Sequence, residues 1–175
     1  MTGNTYGQAL YDLAREEGLD EEILRQLQVL SASFAEEPDF LRLLSAHTVS
    51  KEQRCKIIKD SFGSMLHPYV LHFLMLLTEK GHIRSFPDCC KAYEALYNED
   101  HGILPVCAVS AVALTDDQRQ RLTEKLEKIT GKTVQLACRV DPDCIGGVRL
   151  DYAGKRVDGT VQTRLDAVRS LLKDT

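Results

Sequence analysis

Little in this chain is gathered in one place. Its 22 basic residues are interleaved with 26 acidic ones, for a formal net charge of -4 and a pI near 5.7, and they form no cationic stripe. Binding to phosphate backbones needs a concentrated positive surface, so the pattern weighs against nucleic acid as the main partner and favours protein partners. The N-terminus, Met1-Thr2-Gly3-Asn4-Thr5, shows neither a basic segment followed by an apolar one nor an Arg-rich, acid-poor leader. The most apolar run, Tyr69 to Leu77, is broken by His72 and is much shorter than the ~20 residues that span a bilayer. The expectation is a cytosolic protein, or one held at a membrane only through something else.

Motifs that carry chemistry are missing as well. Cys55, Cys89, Cys90, Cys107, Cys138 and Cys144 form no Cys-x-x-Cys pair, so no structural zinc site is expected and the cysteines read as small apolar residues. The five histidines, His47, His67, His72, His82 and His101, fall on separate elements without an H-x-x-x-H arrangement. Gly146-Gly147 lacks the G-x-x-x-x-G-K-[ST] string of a phosphate loop and no helix follows it directly, so it is read as a bulge or relief of crowding where a strand leaves a turn. A thiol enzyme would need Cys89 or Cys90 to meet a base such as His101. Helical spacing instead puts Cys90 on an apolar face. No catalytic residue, cofactor site or metal site is assigned.

What is present is foldable throughout. The chain has 175 residues, 43% apolar and 27% charged, enough for one ordinary domain or two small ones. Tyr6, Ala9, Leu10, Leu13 and Ala14 recur at helical steps, and Gly18 stops that helix. A second helix starts near Asp20, where acidic residues suit the dipole, and buries Ile23, Leu27, Leu30 and Phe34. Pro38 opens a third. Ser50 and Gln53 form a capping box for a fourth, with Ile57, Ile58 and Phe62 inward and Gly63 at its end. The fifth runs from Pro68 to Gly81, and the sixth, from about Arg84, turns Phe86, Cys90, Tyr93, Leu96 and Tyr97 inward.

The pattern changes after Gly102. Ile103 to Leu114 reads as a strand, and Thr115 with Gln118 caps a charged helix whose Leu122, Leu126 and Ile129 make a narrow apolar seam before Gly131. That charged helix reads as a solvated face. Lys132 to Val140 reads as a strand with Val134, Leu136, Cys138 and Val140 on one face, followed by the Asp141-Pro142-Asp143 turn. Ile145 to Tyr152 and Arg156-Val157 read as further strands, and a last helix beginning near Asp158 to Thr160 buries Val161, Leu165, Val168 and Leu172. The expected fold is α+β: an N-terminal six-helix bundle over residues 1–104, then a small domain over 105–175 with a four-stranded sheet and two helices. With no repeat and no low-complexity linker, the boundary is expected to be tight.

Taken whole, the chain resembles the delta subunit family of the bacterial proton-translocating ATP synthase, whose mitochondrial counterpart is the oligomycin-sensitivity-conferring protein. The stretch Val140-Asp141-Pro142-Asp143-Cys144-Ile145-Gly146-Gly147, then Asp158-Gly159-Thr160-Val161 and Arg164-Leu165, is similar to the family's C-terminal V-D-P-x-x-I-G-G and D-G-S-V-x-x-R-L segments. Tyr6, Ala9-Leu10, the Leu77 to Arg84 junction and Ser110-Ala111 before the Thr115 cap are weaker matches. Thr160 replaces the usual serine, Lys155 stands where aspartate is common, and the hairpin before Asp158 is one residue short of the family's pattern.

The resemblance implies a non-catalytic, single-copy stator subunit, tying the catalytic head to the peripheral stalk at the cytoplasmic face of a bacterial plasma membrane. It implies that helices one and five flank a groove for the N-terminal helix of one alpha subunit, with Tyr6, Ala9 and Leu13 facing Phe73, Leu76 and Leu77, and that the sheet domain meets the b subunits. The fifth helix is apolar nearly all round. Either neighbours cover every side or one side awaits a partner, and the resemblance favours the second. Asp141, Pro142, Gly146, Gly147, Asp158 and Gly159 would be structural. The alternatives are a helical adaptor or RNA-associated protein with an appended sheet domain and, more remotely, a thiol enzyme.

Overall fold

A computed structural model of the chain describes residues 2–45, 49–142, 144, 147–152 and 154–158. Among these residues lie seven α-helices and four strands, an α+β architecture with its sheet in the C-terminal part. The chain divides into two compact units, residues 1–97 and 98–175.

The first unit holds α1 (Thr2–Glu16), α2 (Asp20–Glu36), α3 (Pro38–Ser45), α4 (Lys51–Phe62), α5 (Pro68–Glu79), a 3-10 turn at Ile83–Ser85 and most of α6 (Phe86–Asp100). Local chemistry sets their ends. At α4 the Gln53 N–H donates to Ser50 Oγ (3.2 Å) and the Ser50 N–H to Gln53 Oε1 (3.3 Å), the reciprocal capping box. At α5, Pro68 sits in the first turn, and the preceding His67 N–H donates to Gln26 Oε1 of α2 (2.7 Å). α1 and α5 stop alike. Gly18 (φ 68°) and Gly81 (φ 75°) take the left-handed conformation, and the Leu19 and His82 N–H groups reach back to the Ala14 and Leu77 carbonyls (2.8 and 2.7 Å).

Packing follows from the apolar stripes. Ile23, Leu27, Leu30 and Phe34 of α2 are all buried, and the Phe34 ring lies 5.7 Å from Phe40, 6.3 Å from Phe62 and 5.1 Å from Phe86. One side chain thus joins α2 to α3, α4 and α6. α1 meets α6 through missing side chains, since a Cβ at Gly7 would stand 2.5 Å from the Cys89 carbonyl oxygen and one at Gly3 2.9 Å from Asp88 Cβ. That contact turns the Phe86, Cys89, Tyr93 row of α6 inward, so Cys89 is 1% exposed while Cys90, expected inward, is only half-buried. Arg54 carries no sequence signal of burial, yet its buried guanidinium donates from Nη1 to the Leu44 carbonyl (2.9 Å), supplying the last turn of α3 with a partner its own helix lacks.

The second unit carries β1 (Ile103–Ser110), α7 (Asp116–Thr130), β2 (Thr133–Val140), β3 (Val148–Tyr152) and β4 (Lys155–Asp158), with sheet order β2-β1-β3-β4. β1 and β2 are parallel, registered from Ile103 opposite Thr133 to Ser110 opposite Val140, and such a pair needs a crossover of α7's size. β1–β3 and β3–β4 are antiparallel, the latter closing with Tyr152 opposite Lys155.

Several expectations shift here. The strand expected to reach Leu114 stops at Ser110, because β2 and β3 both end their pairing there and Ser110 Oγ turns to donate to the Val112 carbonyl (2.7 Å). On β2, Val134 is buried but Cys138 and Val140 are exposed, since β2 is an edge strand with β1 alone beside it. α7 has no fully buried side chain; Leu122 and Leu126 are half-covered and Ile129 is exposed. β3 begins at Val148 and β4 extends over Lys155–Asp158. The expected final helix, with Val161, Leu165, Val168 and Leu172, lies outside the described residues, as do Gly146 and Gly159.

Candidate functional site

On the first unit, Tyr6, Ala9, Leu10 and Leu13 of α1 and Tyr69, His72, Phe73 and Leu76 of α5 line one groove of about 460 Å³, with Glu79 at one end. On both helices these positions follow each other at three- and four-residue steps, so each contributes one continuous face. The Tyr6 ring lies 6.0 Å from His82, just beyond the end of α5, which sets the start of α1 beside the end of α5. Leu13 and Leu76 are each 39% exposed, while Phe73, at 6%, forms the floor.

Five of the six expected partner-binding residues, Tyr6, Ala9, Leu13, Phe73 and Leu76, therefore lie together. Leu77 does not. It is fully buried in the core on the other side of α5, with Val70 and Leu74. The helix that reads as apolar all round has two apolar faces, one turned to the core and one to the groove. Leu10, Tyr69, His72, Met75 and Glu79 also line the groove, and the same helical steps that picked out Leu13 and Leu76 extend to most of them.

The sheet carries a second concavity of about 950 Å³, lined by Pro105, Cys107, Ala137 and Gln135 and bounded by Asp151 and Arg156. Strand register puts Cys107 opposite both Ala137 and Asp151, and Asp151 opposite Arg156, so these side chains share one face. The hollow exists because the central side chains there are small. Arg156 Nε donates to Asp151 Oδ1 (2.8 Å) and Arg149 Nε stands 3.5 Å from Asp151 Oδ2. The hydrogen bond from Arg156, helped by both arginine charges, holds the Asp151 carboxyl below the usual carboxylate range.

Where it is described, the glycine-rich motif makes backbone contacts between strands. The Asp141 N–H donates to the Ser110 carbonyl (2.9 Å) and the Cys144 N–H to the Asp141 carbonyl (3.1 Å), fastening the exit of β2 to the end of β1. Pro142 is exposed in the turn, Gly147 has φ 90°, and Asp158 pairs opposite Arg149. Burial pushes the Cys89 thiol up to about 11 and the Cys90 thiol up to about 12, which disfavours the thiolate form of these two near neutrality.

Comparison with known proteins agrees over nearly the full length. A family model described as "ATP synthase delta (OSCP) subunit" matches residues 3–172. The ATP synthase subunit delta of Moorella thermoacetica is 32% identical over 168 residues, covering 96% of this chain and 94% of that one. That of Latilactobacillus sakei is 33% identical over 171 residues, covering 97% and 94%. A chain in the cryo-EM structure of the Toxoplasma gondii mitochondrial ATP synthase hexamer shares the fold, with a TM-score of 0.80 at 18% identity over 98% of this chain and 97% of that one.

Proposed function

The chain belongs to the ATP synthase delta (OSCP) subunit family, and from that premise we propose that its α1–α5 groove grips the N-terminal helix of an alpha subunit while its sheet unit holds the b subunits of the peripheral stalk. It is a non-catalytic stator subunit of a rotary ATP synthase. A rotary motor does work only if its stationary part is held against the turning rotor. That task needs slowly dissociating contacts and no acid, base, metal or cofactor.

The observation that carries the reading is the groove itself. An amphipathic helix docks by apolar anchors one turn apart, and Leu13, Phe73 and Leu76 present apolar surface at that spacing. Ala9, exposed and small, leaves room for a helix to approach closely. Phe73, on the floor, is the anchor point around which the half-exposed residues exclude water. On the second unit, the hollow over Cys107 and Ala137 is the surface we assign to the stalk. Among the described residues no helix is long and apolar enough to cross a membrane, so attachment at its cytoplasmic face runs through these neighbours.

The test is titration of the full chain with a synthetic peptide of the same organism's alpha-subunit N-terminus. Binding is expected, and Ala9→Trp, which fills the groove, and Leu76→Asp, which puts a charge on its wall, should each abolish it. Unchanged affinity in both variants would remove the groove from the interface.

A further inference from the structure

The charge at the end of the groove narrows what can occupy it, and this step rests on the reading that the groove takes a partner helix. Of the residues lining the groove, Glu79 alone is acidic and none is Lys or Arg. Glu79 is the last residue of α5, so its carboxylate stands at the negative end of the helix dipole; the last turn of α5 contains no basic residue, and Lys80 follows at its C-cap. Lys51 and Lys80 border a separate hollow with Cys55 that Glu79 also touches, but among the described residues no ion pair joins either to Glu79. An exposed acid where its own helix disfavours it, at the mouth of an apolar groove, is placed for a cation from outside.

We propose that the groove selects an amphipathic helix with a basic side chain one turn beyond its apolar anchors, and that Glu79 pairs with that side chain and fixes the direction in which the helix lies. The geometry follows from helical steps. Glu79 lies three residues past Leu76, so a helix whose anchor packs on Leu76 and Phe73 brings the residue one turn further along opposite Glu79. Apolar burial then supplies the hold, and the charge pair supplies orientation and encounter rate.

The experiment measures association and dissociation of the full chain with the alpha-subunit N-terminal peptide at low and at physiological salt. Glu79→Gln should slow association at low salt by about 3- to 10-fold, flatten its salt dependence and leave dissociation nearly unchanged. Glu79→Lys should slow it further, and a peptide whose basic residue is changed to Glu should recover binding to that variant. The melting temperature of Glu79→Gln should stay the same or rise, because an adverse charge has gone from the end of α5; a purely structural Glu79 would make it fall. Association and salt dependence unchanged by Glu79→Gln, with Leu76→Asp abolishing binding, would overturn the charge pairing alone. Indifference to both substitutions would overturn the groove reading with it.

Discussion

At Gly7 one absent methyl group sets how near α1 comes to α6. Ordinarily Gly→Ala inside a helix gains about 1 kcal/mol of helix propensity. Here the new Cβ would meet the Cys89 carbonyl oxygen at 2.5 Å, a backbone atom that cannot swing away. Overpacking of this kind costs about 1–3 kcal/mol, and forcing α6 back would also disturb the edge-to-face Tyr11–Tyr93 pair, so Gly7→Ala should be a net loss of roughly 1–2 kcal/mol. Gly18→Ala isolates a different cause. Its Cβ meets nothing within 4 Å, and the cost is that of a left-handed backbone, about 1–2 kcal/mol. Urea titration should show both variants less stable, with Gly7→Ser worse than Gly7→Ala because of its extra atom, and Gly18→Asn better than Gly18→Ala because asparagine tolerates φ > 0. A Gly7→Ala protein about 1 kcal/mol more stable than the parent would mean that α1 can shift off α6 at no cost.

At the scale of elements, stability is unevenly sourced. α7 has no fully buried side chain, so its termini matter more than its faces. The Gln118 N–H donates to Thr115 Oγ1 (3.3 Å), the Thr115 N–H to Gln118 Oε1 (3.0 Å), and Asp116 and Asp117 sit in the first turn where the dipole favours them. Thr115→Ala should therefore cost about 1 kcal/mol, read as faster amide exchange through α7 with α1 to α6 unaffected. Equal loss of protection in α2 would mean that the two units unfold as one. These same caps made the helices legible in the sequence, because Ser50, Thr115, Pro68, Gly18 and Gly81 act on backbone groups a few residues away. Strand ends were less legible. Ser110 ends β1 because β2 and β3 stop beside it, which is a matter of partners distant in sequence, and Cys138 and Val140 alternate like core residues yet lie on an edge. The groove is partly legible: the steps Tyr6, Ala9, Leu13 and Phe73, Leu76 are visible, but an all-apolar α5 does not disclose which side is core, so spacing alone places the buried Leu77 with the groove and leaves the charged Glu79 out.

At the scale of the molecule, each unit carries its own concave surface, the α1–α5 groove and the hollow of the sheet. In the proposed arrangement both partners belong to one assembly. Once the groove is engaged, the second contact forms at an effective concentration on the order of millimolar. A contact with a Kd of about 1 µM alone is then favoured about 1,000-fold, roughly 4 kcal/mol, without any new interaction. Damage to one grip should therefore be tolerated where damage to both is not. Leu76→Asp in the groove and Ala137→Arg in the sheet hollow should each leave most of the subunit on washed membranes, with ATP-driven proton pumping largely kept. The double variant should lose the subunit and the pumping together while ATP hydrolysis by the released head continues. If Leu76→Asp alone strips the subunit, the sheet hollow contributes no hold and the two-point account fails. If the double variant stays bound, the gripping surfaces lie elsewhere on the chain.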